Sequence, residues 1–264
     1  MSDTMTAQPT LHPIGASLGT EVKGLDLARD NDQATADWIK ATLADKAVLV
    51  FRNQHMTAQD IAALGRRLGT ITPHIFPEYR HPEVPEVSFV TNRDAEGNID
   101  QFGVTRASKW HFDESYKEHL PRLTMLHALQ VPKVKGGTEF VDMRAAHDAM
   151  PPALREKVEG LISVFRPGKG GEAHHPTVYT HPVTGRRLLL ISPQHQVGFE
   201  GMENDDGIAL MYAIQDHATQ PQFYYYHQWQ IGDVVMWDQV ATMHRNAVDS
   251  DPREPRIFLR TIVH

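Results

Sequence analysis

Two histidines and an aspartate in this sequence have the types and spacing of a metal site. The first pair lies in residues 109–116, KWHFDESY. In an extended segment, residues two apart point to the same face, roughly 7 Å from each other. His111 and Asp113 can therefore converge on one ion, with Phe112 turned to the other side. The third candidate is His244, in residues 231–245 (IGDVVMWDQVATMHR), just beyond a short apolar strand that follows the Gly232-Asp233 turn. Two neutral imidazoles and one carboxylate leave coordination positions open, which suits Fe(II) and oxygen chemistry. A zinc hydrolase would also use three ligands and an open position. However, no helical HExxH is present, and no general base stands out beside the three residues. A non-catalytic sensor binding a metal or an anion is the alternative from a different class.

Two arginines make a second constellation. Residues 255–264 read PRIFLRTIVH, with Arg256 and Arg260 four apart. On a strand that spacing is even, so both side chains share a face. Guanidiniums turned into a protein interior are costly unless anions meet them. Arginine also matches carboxylates in a two-pronged fork. One reading is a dicarboxylate on one arginine and a second anion on the other. The other reading is two exposed arginines on an edge strand.

Composition narrows the class. The chain has 264 residues, 41% hydrophobic and 22% charged, with a formal net charge of −7. That is ordinary globular composition, with no basic stripe for nucleic acid. No apolar run approaches the ~20 residues that a membrane span needs. There is no cysteine, so disulfides, thiolate catalysis and zinc–thiolate sites are excluded. A reducing, cytoplasmic location fits. Residues 1–10 are polar without an apolar signal core and read as a short disordered tail, leaving residues 11–264 as one domain.

The elements that must position these residues can be placed from the pattern. Residues 15–26 alternate like a strand with turns, and residues 47–51 (AVLVF) make a short buried strand. Helical spacing covers residues 32–44 and 57–68, the second with Thr57 as N-cap and Gly69 as its stop. Short strands then dominate, at 123–129, 138–142, 187–192, 223–230, 234–237 and 256–263. Helices interrupt them at 145–160 and 203–218. That rhythm predicts a mainly β, α+β fold: a sandwich or jelly roll with flanking helices. Residues 92–108 and the glycine-rich residues 167–176 are candidate mobile lids or plain surface loops.

Several ordered segments carry a family resemblance that covers residues 14–263. They are WHFDESY, GGTEFVDMRAAHDAM, THPVTGRRLLLI, GDVVMWDQVATMHR and PRIFLRT. In order and spacing they resemble the taurine / 2,4-dichlorophenoxyacetate (TauD/TfdA) dioxygenase family. The resemblance implies a double-stranded β-helix. It implies Fe(II) on His111, Asp113 and His244, with 2-oxoglutarate as cosubstrate and O2 as oxidant. Thr138 and Arg256 would hold 2-oxoglutarate, and Arg260 the anionic group of a small organic substrate. The implied reaction is hydroxylation, with or without cleavage of the product, releasing succinate and CO2. Desaturation, epoxidation or oxidative decarboxylation on the same iron site are the alternatives. Homodimers or tetramers are implied as assembly states.

The segments also depart from the family pattern. Gly136-Gly137 directly precede Thr138, one residue short of the usual spacing. Phe112 stands where a small polar residue is typical, and Gln239 where asparagine is. In HIFPEY, Phe76 falls where taurine enzymes carry a sulfonate-binding histidine, while Tyr79 matches, so taurine is disfavoured as substrate. Residues 165–180 are shorter than the usual lid. The substrate anion could be a carboxylate, sulfonate, sulfate or phosphonate. Phe76, Tyr79 and Phe112 are the candidate wall for an alkyl or aryl body. His195, in SPQHQ, either lines the pocket or packs at a strand end.

Overall fold

The computed structural model describes residues 9–166 and 171–264. Residues 1–8 of the expected tail lie outside them, and Thr10 of that tail already opens β1 (Thr10–Pro13). β1 pairs antiparallel with β2 (Thr20–Lys23). The Asp32 carboxylate caps α1 (Gln33–Lys46) by accepting the Thr35 N–H. β3 (Val48–Phe51) is buried throughout, and α2 (Ala58–Leu68) starts at a reciprocal capping box between Thr57 and Asp60. Gly69 does not end α2 as a left-handed cap, because its φ of 167° is extended. A Cβ there would sit 2.5 Å from the His264 carbonyl oxygen and 2.7 Å from Val263 Cγ1. Glycine is needed at this position for the close approach of the last strand.

β4 (Ser88–Thr91) leads into residues 92–108, expected as a loop, which contain the short helix α3 (Gln101–Thr105). β5 (Leu123–Gln130) and β6 (Thr138–Asp142) follow. The helix expected over 145–160 is two helices, α4 (Met143–Asp148) and α5 (Pro152–Val158). Pro151 and Pro152 supply no N–H donors and break the run between them. β7 (Ile162–Phe165) comes before the glycine-rich stretch. There, residues 167–170 lie outside the described residues, and the stretch ends as a strand, β8 (Ala173–Pro176). The remaining elements are β9 (Val178–Thr180), β10 (Arg187–Leu189), β11 (Gln196–Phe199), α6 (Asn204–Ala218), β12 (Tyr224–His227), β13 (Val234–Asp238), β14 (Thr242–Asn246) and β15 (Ile257–Val263). No helix among the described residues is long and apolar enough to cross a membrane.

Seven strands form the major sheet in the order β1-β2-β3-β13-β5-β15-β4, and β12-β6-β14 form a smaller sheet. Every pairing in these sheets is antiparallel except β2 with β3. Alternation along the central strands divides two cores. Met125, Val234, Met236 and Leu259 face one cluster with Ile39, Leu43, Ile61 and Leu64 of the two N-terminal helices. Leu126, Val235, Trp237 and Phe258 face the other way, onto Phe140 and Tyr225 of the small sheet. Two sheets packed over a shared core, with helices on the outer face, are the expected jelly roll with flanking helices. A third cluster joins α4 and α6 to the strands β7, β10 and β11.

Candidate metal centre

The three candidate ligands arrive by two different backbone devices. His244 lies just beyond β13, as the sequence suggested, and sits on the next strand, β14, opposite Phe140 of β6. Residues 109–116 do not form a strand. His111 makes one isolated antiparallel bridge to His244, with N–H···O bonds of 3.0 and 2.8 Å. The two residues are thus directly opposed, and their ring centroids lie 4.3 Å apart. The chain then turns at Glu114, which has a left-handed φ of 53°. That turn brings the Asp113 carboxylate back toward the two rings. One ligand atom from each of His111, Asp113 and His244 lies within 4.8 Å of the others, and all three residues are buried.

Hydrogen bonds fix which atoms are free. His111 Nδ1 donates to the Lys109 carbonyl at 2.8 Å, so the proton is on Nδ1 and the Nε2 lone pair faces Asp113 Oδ1 at 3.9 Å. Asp113 Oδ2 accepts from Thr124 Oγ1 at 2.9 Å and from Gln239 Nε2 at 2.8 Å. The His244 ring, flanked by Trp237 and Phe140, has no hydrogen bond among the described residues, and its Nε2 is 3.9 Å from Asp113 Oδ2. Burial lowers the pKa of His111 and pushes His244 down to about 3, so both are neutral at ordinary pH. Burial works against the Asp113 carboxylate, but the His244 ring, Arg260, the His111 ring and the Gln239 bond hold it below the usual range. Two neutral nitrogens and one anionic oxygen at this spacing fit a divalent transition metal such as Fe(II).

The triad opens onto a cavity of about 780 Å³. Arg256 and Arg260 both reach it, so the even spacing of the sequence translates into a shared face despite a register shift between Ile257 and Phe258. Arg256 donates through Nε to the Gly136 carbonyl at 3.0 Å and through a terminal nitrogen to Thr138 Oγ1 at 3.2 Å. Its guanidinium lies over the Phe258 ring, and burial lowers its pKa to about 10. Arg260 comes within 3.7 Å of Asp113 Oδ1, and its Nε is buried without a partner among the described residues.

The expected substrate wall is partly corrected. Phe76 and His195 line the cavity. His195 bonds Ser115 at 2.9 Å and stands edge-on to His111. Phe112 does not line it: the side chain is 1% exposed and packs on Phe165. Tyr79 does not line it either. Its hydroxyl donates to Asp100, and its ring lies behind the Arg106 guanidinium at 4.4 Å.

Sequence reasoning missed three contributors: Gln239 as the clamp on Asp113, and His74 and Arg106 on the cavity wall. His74 had a signal available, two residues from Phe76 in the same HIFPEY segment. Burial and the charge of Arg260 push His74 down to about 4.

A jelly roll whose His-Asp-His centre shares one cavity with a buried arginine, Arg256, defines a non-haem metal oxygenase. Residues 8–262 match the profile of the "Taurine catabolism dioxygenase TauD, TfdA family". The alpha-ketoglutarate-dependent 2,4-dichlorophenoxyacetate dioxygenase of Cupriavidus pinatubonensis is 31% identical over 268 residues, covering 92% of each chain. The alpha-ketoglutarate-dependent sulfate ester dioxygenase of Pseudomonas putida is 30% identical over 280 residues, 95% of this chain and 87% of that one. The crystal structure of AAD-2 with Mn(II) and N-oxalylglycine superposes with a TM-score of 0.85 at 27% identity, covering 97% of this chain and 96% of that one. The chain belongs to the TauD/TfdA family, and with it to the Fe(II)- and 2-oxoglutarate-dependent dioxygenases.

Proposed function

We propose that residues 11–264 act as one dioxygenase domain that hydroxylates a small organic anion at the iron centre, with release of succinate and CO2. In this reading His111, Asp113 and His244 hold Fe(II), Thr138 and Arg256 hold 2-oxoglutarate, Arg256 by its distal carboxylate, and Arg260 takes the anionic group of the substrate. The observation that carries it is the placement of two arginines, Arg256 buried and Arg260 half-buried, on the wall of the cavity that the triad opens onto. Iron, when bound, supplies the O2 activation that couples decarboxylation of 2-oxoglutarate to oxidation of a substrate C–H bond.

The chain's own residues supply position and charge. Burial favours the neutral form of both imidazoles, so their lone pairs are available to a metal at neutral pH. Arg256 is already oriented by Gly136 and Thr138, so little side-chain entropy is lost when a carboxylate arrives. Its attraction for that carboxylate is stronger in a buried site than in water. Arg260, with an unsatisfied Nε, has a donor to offer to a second anion. An anion held there sits beside the metal ligand Asp113, which brings its neighbouring C–H bonds toward the centre.

Anaerobic titration with Fe(II) and 2-oxoglutarate tests the reading. A weak visible charge-transfer band saturating at one equivalent is expected, and Asp113→Ala should abolish it with the fold retained by circular dichroism. No band from correctly folded wild-type protein would sink the assignment.

A further inference from the structure

The cavity wall carries cations beyond the two arginines that the proposed reaction uses: Lys109 is exposed to solvent and Arg166 pairs with Glu172, whereas Arg106 is half-buried and pairs with no carboxylate among the described residues. Arg106, just past α3, lines it together with Arg256 and Arg260. Its guanidinium lies on the Tyr79 ring at 4.4 Å, and its one hydrogen bond is a long 3.4 Å contact to the Phe89 carbonyl. No carboxylate lies within ion-pair distance of it among the described residues. The nearby carboxylates are engaged elsewhere. Asp100 accepts from the Tyr79 hydroxyl and the Phe102 N–H, and Asp113 belongs to the metal centre. Burial and the charge of Arg260 lower the Arg106 pKa to about 10, so it is charged at ordinary pH but poorly compensated. A guanidinium held this way costs stability unless an anion joins it.

Charge balance then points to the ligand. Iron brings two positive charges and 2-oxoglutarate two negative ones. Arg256 and the metal account for both carboxylates of the cosubstrate. Arg260 leans on Asp113 and faces one substrate charge. Arg106 remains. Arg106 feels the charge of Arg260, and Arg256 feels that of Arg106; all three line the same cavity. Beside Arg106, Phe76 and Phe102 meet edge to face at 6.4 Å, and Phe102 is 52% exposed at the cavity mouth. That pair offers an apolar surface next to the extra cation.

We infer that Arg106 is a specificity residue that, with Arg260, selects substrates whose anionic head carries two negative charges, such as phosphonates or phosphate monoesters, attached to an apolar body. The inference rests on Arg260 as the substrate-anion residue. Tyr79 and Asp100 are then positioning residues that hold Arg106 toward the cavity.

The test is a binding measurement on protein loaded with Mn(II) and N-oxalylglycine, which does not turn over. Phenylphosphonate and benzenesulfonate are compared by calorimetry at about pH 8, where the phosphonate is largely a dianion. Wild-type protein should prefer the phosphonate by about ten- to a hundredfold, the worth of one charge-assisted hydrogen bond. Arg106→Gln should erase that preference while benzenesulfonate affinity stays within about twofold, and Arg106→Lys should restore part of it. Equal binding of the two anions by wild type, or no binding of either, overturns the inference even if neither variant folds. An unchanged preference in Arg106→Gln overturns it too and leaves Arg106 as a prop for Tyr79. Arg260→Gln separates the two readings. It should weaken both anions, and if it leaves both unchanged, the assignment of Arg260 fails whatever Arg106 does.

Discussion

The Gln239 side chain grips Asp113 twice. Its carbonyl oxygen accepts the Asp113 backbone N–H at 3.0 Å, and its amide nitrogen donates to Oδ2 at 2.8 Å. The same amide nitrogen also contacts Thr124 Oγ1, which donates to the same carboxylate oxygen. Asp113 lies on a turn rather than a strand, so the backbone alone does not fix its side chain. The clamp does, and it leaves Oδ1 directed at His111 and Arg260. Partners of this kind typically contribute 10–100-fold to metal affinity. Gln239→Ala should weaken Fe(II) binding by about that factor in anaerobic titration, with the secondary structure retained. Unchanged affinity would show that the turn holds Asp113 without help.

The arginine assignments separate by kinetics. Arg256→Ala should raise the KM for 2-oxoglutarate by at least about tenfold, since it removes a buried, charge-assisted contact. Arg260→Ala should raise the substrate KM while the 2-oxoglutarate KM moves little. If Arg260→Ala instead collapses 2-oxoglutarate binding, the two roles are exchanged.

Acid should destabilise the metal-free protein. Burial pushes His74 and His195 down to about 4 and His244 to about 3, from an unfolded value of 6.5. Between these limits the unfolded chain binds more protons, so stability rises with pH there and is lost as pH falls. The depressed Asp113 acts in the same direction at lower pH, below its unfolded value of 3.8. His174 shifts upward between Glu172 and Glu200, but it is exposed and solvent screens its contribution. The melting temperature of metal-free protein should therefore fall steadily from pH 6.5 toward about pH 4. A flat profile over that range would mean that these imidazoles are hydrated or already charged in the folded state.

Why some of this was legible in the sequence, and some not, follows from range. Period-two alternation and a capping aspartate or threonine are local, so β6 and the starts of α1 and α2 could be placed from the sequence. The parity of Arg256 and Arg260 is local as well. The Gln239 clamp joins residues 126 apart, and no nearby residue announces it. Residues 109–116 misled for a related reason. The HxD spacing suits a strand, but only one bridge to His244 forms before Glu114 turns the chain. Tyr79 matched a family position, yet Arg106 occupies the space between its ring and the cavity.

Phe112 gives the last prediction, because its two possible roles differ in what they would cost. It follows a metal ligand in sequence, which made it a candidate for the substrate wall. In the fold it belongs to the cluster of Phe165, Leu189 and Met243, behind the metal centre. Truncating a buried phenylalanine removes its transfer free energy and leaves a cavity that relaxes only in part. Phe112→Ala should therefore destabilise the protein by about 3–5 kcal/mol in chemical denaturation. Phe112→Leu keeps most of the volume and should cost less, with substrate KM close to wild type at a temperature where both are folded. A stable Phe112→Ala variant with a raised substrate KM would put the ring back on the cavity wall.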